Sequence, residues 1–138
     1  MIVIDASVAN KLVLPLEEGN EQVKEIFRRH KDQVDRILSL DFIFYEIANT
    51  LVTKSAIPQQ MITRSLSIIY DAEIEIYHPT KADVKLAARL ARKYKTSVYD
   101  MLYAVVAKNH KAKLITADEQ FVKQTGFKFV QLLNPLKG

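Results

Sequence analysis

The chain begins MIVIDASVANKLVL (residues 1–14), a short β-branched run followed by apolar residues at helical spacing. The run 2–4 predicts a strand, and the segment 6–14 predicts a helix. Asp5 lies at the junction, where the strand ends and the helix begins. This strand-to-helix unit indicates the organisation that the rest of the chain repeats.

The same alternation continues towards the C-terminus. Further strands are predicted at 36–40, 74–77, 113–116 and 128–132, and further helices at 21–30, 42–55, 59–72, 81–94, 98–110 and 119–124. Strands that alternate with helices favour a mainly parallel sheet covered on both faces. We therefore predict an α/β fold with a four- or five-stranded sheet and about seven helices, as a single domain over residues 1–138.

Composition excludes several classes of protein and site. The chain has 49% hydrophobic and 26% charged residues, which is typical of a globular protein, and it has no apolar run near the roughly 20 residues of a membrane helix. Because it contains no cysteine, disulfides and zinc–thiolate sites are excluded, and a metal would need oxygen or histidine ligands. Its isolated glycines cannot form a phosphate-binding loop. The start lacks the features of a secretory signal, so we expect a cytoplasmic protein without a membrane span.

Four acidic residues are candidates for a site. Asp5 and Asp118 follow predicted strands, and the carboxyl ends of strands are where open parallel sheets bind ligands. Glu46 and Asp100 are each the sole charge in an apolar helical run, where an ionised carboxylate needs a cation or hydrogen-bond donors. Two like charges ~4 Å apart cost about 4 kcal/mol at an effective dielectric constant of ~20. Mg²⁺ or Mn²⁺ would neutralise such a cluster and could activate water for phosphodiester hydrolysis.

Each acid also has an ordinary structural interpretation. Asp5 and Asp118 could cap helices, and Asp100 could be the acidic member of a capping box that begins at Ser97. Glu46 could form a salt bridge with a lysine or arginine elsewhere in the fold. The sequence leaves both interpretations open.

The acids lie in four stretches, which are IDASV (4–8), YEIANTL (45–51), VYDMLYAVVA (98–107) and LITADEQF (114–121). In order, spacing and predicted element, these stretches resemble a PIN domain over essentially the whole chain, and most closely the compact VapC-type toxins of prokaryotic toxin–antitoxin pairs. The resemblance implies a ribonuclease that depends on Mg²⁺ or Mn²⁺ and hydrolyses RNA. It also implies a cognate VapB-type antitoxin and a homodimer.

By this resemblance the acidic set is Asp5, Glu46, Asp100 and Asp118, and Thr116 is the hydroxyl that accompanies it. We assign Asp5 and Asp118 as direct metal ligands, Asp100 as a ligand or water-mediated partner, and Glu46 as a ligand through water or an orienter of the attacking water. Glu119 directly follows Asp118, which leaves the number of metal ions open.

Two other functions fit some of the same features. A signalling receiver domain is also a small α/β unit with a magnesium-binding aspartate cluster, although it would have an acidic pair after the first strand, where this chain has Asp5 alone. A catalytically inactive RNA-binding module is the other alternative, although such a module is expected to lose acids that are all present here.

Further side chains could contact RNA or serve the fold alone. Ser7 and Asn10 could contact phosphate or cap the first helix, and we favour the cap. Tyr99 and Tyr103 could stack on bases, although packing is the safer interpretation. Two basic groups could bind phosphates or form solvated helix faces. The first is Lys85, Arg89 and Arg92, with Lys93 and Lys95 beyond them, and the second is Lys108, Lys111 and Lys113.

Overall fold

The computed structural model describes residues 1–14 and 17–133. These residues form five strands and seven helices, as predicted. In chain order they are β1 (Ile2–Ile4), α1 (Ala6–Val13), α2 (Asn20–Lys31), β2 (Ile37–Leu40), α3 (Ile43–Thr53), α4 (Gln59–Asp71), β3 (Glu75–Tyr77), α5 (Lys81–Tyr94), α6 (Val98–Asn109), β4 (Lys113–Thr116), α7 (Glu119–Thr125) and β5 (Val130–Leu132). The single domain predicted over 1–138 includes residues 15–16 and 134–138, which lie outside the described residues.

The strands form one sheet in the order β3-β2-β1-β4-β5, and every pairing is parallel. This confirms the predicted α/β class. β1 lies in the centre, between β2 and β4, so the chain leaves β1 at the point where the strand order changes direction, and ligands bind at such points in open sheets. A receiver-type sheet has the order 2-1-3-4-5, so the receiver alternative is wrong.

The predicted boundaries differ from the observed ones by only one or two residues. Two-residue differences occur at the end of α3, predicted to reach 55 and observed to end at Thr53, and at the start of β5. β5 begins at Val130, whose N–H donates to Phe127 O in a turn. α2 begins after Gly19, whose φ of +90° suits a residue without a side chain. Such end effects are local, so the predicted elements themselves are confirmed.

Two hydrophobic clusters cover the two faces of the sheet. In β1, Val3 belongs to the cluster that contains α6, whereas Ile4 belongs to the cluster that contains α1 and α3, because successive residues of a strand point to opposite faces. α6 is buried along the whole run from Met101 to Ala107. No helix of the described residues is long and apolar enough to cross a membrane.

A buried histidine joins three elements of the fold. His30, at the end of α2, accepts a hydrogen bond from Ile37 N at Nδ1 (2.9 Å), so its hydrogen lies on Nε2. Nε2 donates towards Ala72 O (3.1 Å) and Glu73 O (3.2 Å), which follow α4. The imidazole therefore links α2, the start of β2 and the end of α4, and its role is structural.

We predict that His30→Leu lowers the free energy of unfolding by about 2–3 kcal/mol, because the N–H of Ile37 and two carbonyls lose their partner. Urea denaturation would measure this change. His78→Leu is the matched control, since His78 is exposed, and its effect should stay within about 0.5 kcal/mol. Equal effects of the two substitutions would contradict the role given to His30.

Candidate metal centre

Asp5 and Asp118 occupy equivalent places after neighbouring strands. Asp5 follows β1 and caps α1, accepting from Val8 N at 3.2 Å. Asp118 follows β4 and caps α7, accepting from Phe121 N at 3.1 Å. Because β1 and β4 are adjacent and parallel, both carboxylates lie at the same edge of the sheet. Both are caps, yet each cap bond engages only Oδ1, so capping does not exclude a second role.

The other two predicted acids reach this edge from helices. Asp100 lies in the first turn of α6, where its backbone N–H donates to Ser97 Oγ at 3.0 Å. Glu46 lies in the first turn of α3. All four acids line one cavity of about 260 Å³, which we call the acid cavity; its other lining residues are Ala6, Ser7, Asn10, Thr50, Lys54 and Tyr103. The structure therefore brings the predicted acids together. Glu119 is exposed and does not line this cavity.

Hydroxyl groups hold the Asp5 carboxylate from both sides. Thr116, the last residue of β4, donates to Asp5 Oδ2 at 2.5 Å, and Ser7 donates to Oδ1 at 2.5 Å. Thr116 Oγ1 also accepts from Asp118 N (3.1 Å), and Ser7 Oγ accepts from Ala117 N (2.9 Å). The expected cap by Ser7 is wrong, because Asp5 caps α1 and Ser7 instead joins α1 to the end of β4.

Burial and repulsion raise the pKa values of Asp5, Glu46 and Asp100. Burial raises the pKa of Asp5 from 3.8 to about 6, and the charge of Asp100 adds to the effect, against the hydrogen bonds from Ser7 and Thr116. Burial also raises the pKa of Glu46, with repulsion from Asp100 and Asp5. Burial raises the pKa of Asp100, and Asp118 contributes repulsion. A cation in the cavity would compensate for the lost hydration of the carboxylates and for the repulsion between them.

Glu46 has a partner that the sequence did not indicate. The hydroxyl of Tyr103 donates to Glu46 Oε1 at 2.7 Å, and the Tyr103 ring packs edge-on against Phe42 at 5.2 Å. Within the described residues Glu46 forms no ion pair, so the salt-bridge interpretation is wrong. The one available signal was a tyrosine three residues after Asp100 in a buried run, since a buried tyrosine hydroxyl usually finds a partner.

The donor set of the acid cavity suits a hard divalent cation. Carboxylate, hydroxyl and amide oxygens line it, as Mg²⁺ and Mn²⁺ prefer. The Oδ1 atom of Asn10 is buried there and accepts no hydrogen bond from the part of the chain that the structure describes. No three His, Cys, Asp or Glu side chains of that part converge closely enough to enclose an ion alone. An ion in this cavity would therefore need water or other oxygens to complete its ligand shell.

A lysine that the sequence did not single out also lines the acid cavity. Lys54 follows the last turn of α3, and it forms no ion pair with the described acids. Glu46, Thr50 and Lys54 are spaced by four residues and therefore share one face of the α3 segment. This spacing could have indicated Lys54 once Glu46 was taken as a site residue.

We predict that Asp5 makes the stability of the metal-free protein depend on pH. A folded-state pKa raised from 3.8 to about 6 contributes stability that is complete below pH 3.8 and is lost as the pH rises through about 6. Relative to Asp5→Asn, the free energy of unfolding of the unaltered protein should therefore fall by about 2 kcal/mol between pH 4 and pH 7. Urea titrations of both proteins in EDTA at pH 4 and pH 7 would measure this change. If the difference in free energy of unfolding between the two proteins is the same at both pH values, the prediction is wrong.

Comparison with known proteins agrees with this fold. The PIN domain family model matches residues 2–126, whereas no curated protein sequence matches. PAE2754 from Pyrobaculum aerophilum is 18% identical, with a TM-score of 0.70 over 96% of this chain and 90% of its own. VapC20 from Mycobacterium tuberculosis, a toxin that cleaves the sarcin–ricin loop, is 13% identical, with a TM-score of 0.69 over 91% of this chain and 95% of its own.

A toxin–antitoxin complex from Klebsiella pneumoniae contains a chain that is 14% identical, with a TM-score of 0.71 over 99% of this chain and 100% of its own. At such identities the structural likeness concerns the fold. The family match covers most of the sequence, and the expected PIN resemblance is thereby confirmed. This chain belongs to the PIN domain family.

Proposed function

We propose that this protein is a metal-dependent endoribonuclease, the toxin of a VapBC-type pair. The observation that carries the proposal is the acid cavity, in which four carboxylates line one space at the central switch point of a PIN fold. Burial raises the pKa values of Asp5, Glu46 and Asp100, so their ionised forms destabilise the fold and a structural role alone does not account for the cluster.

In this proposal Asp5 and Asp118 would hold Mg²⁺ or Mn²⁺ directly, and Asp100 would hold it directly or through water. When bound, the ion supplies the positive charge that draws a phosphodiester into the cavity and favours its attack by water. Thr116 and Ser7 fix the Asp5 carboxylate from both sides, which keeps its oxygens in place without the ion.

Glu46 serves as the residue that orients the attacking water. Tyr103 engages Oε1, and no hydrogen bond of the described residues engages Oε2. The second oxygen can therefore accept a hydrogen from water while the first one fixes the side chain. Burial and nearby acids raise the pKa of Glu46, which moves it towards the range where a carboxylate accepts a proton more readily.

The partners follow from the same proposal. The substrate is RNA, the inhibitor is a cognate VapB-type antitoxin, and the toxin forms a homodimer in the cytoplasm. The fold of a toxin–antitoxin complex among the solved structures supports the antitoxin. Exposed apolar side chains on α3 and α4, including Tyr45, Val52 and Tyr70, are of the kind that protein partners cover.

We predict that Asp5→Asn and Asp118→Asn each lower the cleavage of a labelled single-stranded RNA in Mn²⁺ by at least ~100-fold. Asparagine caps helices about as well as aspartate, so both variants should fold. Glu119→Gln is the matched control, because it removes the same charge beside Asp118 but outside the acid cavity, and it should keep its activity.

Full activity of either asparagine variant would remove that residue from the ligand set. If the unaltered protein binds RNA but cleaves none with Mn²⁺ or Mg²⁺, the inactive RNA-binding module would be the better description. The two outcomes separate an error about one residue from an error about the reaction.

We predict that Tyr103→Phe lowers kcat by about 10- to 100-fold with little change in KM, because Glu46 loses the donor that fixes Oε1. Tyr99→Phe removes the same hydroxyl from a side chain that is 62% exposed, and should leave both constants unchanged. Steady-state cleavage kinetics would measure this. If the two variants behave alike, Tyr103 does not position Glu46.

A further inference from the structure

Two of the site acids face a second cavity. Asp100 and Asp118 line both the acid cavity and a neighbouring space of about 200 Å³, which we call the α7 cavity. Its other walls include Lys95, Ser97, Gln120 and Gln124. The carboxylates of Asp100 and Asp118 therefore stand between two spaces, and the proposed chemistry uses only one of them.

A lysine stands at each of these two spaces. Lys54, after α3, lines the acid cavity, and Lys95, after α5, lines the α7 cavity. Both side chains are exposed, and neither forms an ion pair with the acids of residues 1–14 and 17–133. Their charges are therefore not neutralised by the carboxylates beside them, and they can meet the phosphates of a polyanion.

The α7 cavity has the chemistry of a nucleotide subsite. Gln120 and Gln124 are four residues apart on α7, so their amides lie on one face of the helix. Amides and the Ser97 hydroxyl offer both donors and acceptors, which is what the edges of a base or a ribose require. A base can enter such a cavity only when it is unstacked, as in a single strand or a loop.

We propose that the α7 cavity holds a nucleotide next to the scissile phosphate of a single-stranded RNA. Lys95 contacts the RNA phosphate on the side of the α7 cavity, and Lys54 contacts the RNA phosphate on the side of the acid cavity. This rests on the proposed ribonuclease function, and it adds the path of the strand. Of the basic residues considered from the sequence, Lys95 takes this place, whereas Lys111 and Lys113 lie at the opposite, amino-terminal end of β4.

The test measures binding without cleavage, by fluorescence anisotropy of a labelled single-stranded RNA in EDTA between 50 and 200 mM salt. For a single strand, each lost phosphate contact should reduce the slope of log K against log salt by about 0.7. We expect this reduction for Lys54→Gln and for Lys95→Gln, and about 1.4 for the double variant. Lys54→Arg and Lys95→Arg should keep the original slope.

Lys111→Gln is the matched control for Lys95→Gln. Both lysines are exposed and both have a left-handed backbone, with φ of +53° and +60° respectively, but only Lys95 faces the acids. The salt dependence of RNA binding by Lys111→Gln should therefore have the same slope as that of the unaltered protein. Similarly, Gln124→Glu should weaken binding about fivefold through repulsion of the strand, whereas Gln131→Glu on the exposed part of β5 should not.

If Lys95→Gln and Lys54→Gln give the same slope as Lys111→Gln, the strand path is wrong, even if the unaltered protein cleaves RNA in Mn²⁺. If the slopes fall as expected but no cleavage occurs, the path holds and the ribonuclease proposal fails. If a duplex of the same sequence competes for binding as effectively as the single strand, the proposed nucleotide subsite is also wrong.

Discussion

The burial of the Asp5 carboxylate is the constraint on which the site depends. It lies where the central strand β1 passes into α1, and it accepts hydrogen bonds from Ser7, Val8 and Thr116. These bonds join the end of β1 to the end of β4, so the sheet edge and the site share one set of contacts. Because burial still raises the pKa of Asp5 to about 6, the hydrogen bonds orient the carboxylate without stabilising its charge fully.

Asp100 and Glu46, like Asp5, have pKa values raised by their surroundings. Asp100 and Glu46 are half-buried, and repulsion from neighbouring carboxylates adds to the rise in their pKa values. The hydrogen bond from the Tyr103 hydroxyl lowers the pKa of Glu46 in part, and it occupies one carboxylate oxygen. A cluster of groups with raised pKa values is typical of functional sites, in accord with the proposed metal centre.

Acidic and basic side chains occupy different parts of the acid cavity and the α7 cavity. Carboxylates occupy the centre, and lysines stand at Lys54 and Lys95 without pairing with them. Paired lysines would have stabilised the empty site and competed with both a cation and a phosphate chain. In the proposed mechanism both kinds of charge are thus available, the carboxylates for a cation and the lysines for phosphates.

The sequence alone determined the order of strands and helices and the placement of Asp5 and Asp118 at strand ends, because periodicity and helix caps depend on neighbours along the chain. The position of Glu46 and Asp100 as the sole charge in an apolar helical run indicated both as site residues, and the resemblance to PIN domains added Thr116. Only the tertiary structure decided that Tyr103 binds Glu46 across 57 residues, that His30 is a structural link, and that Lys54 and Lys95 face the acids. Contacts between distant residues depend on how helices pack on the sheet, and no local pattern specifies that packing.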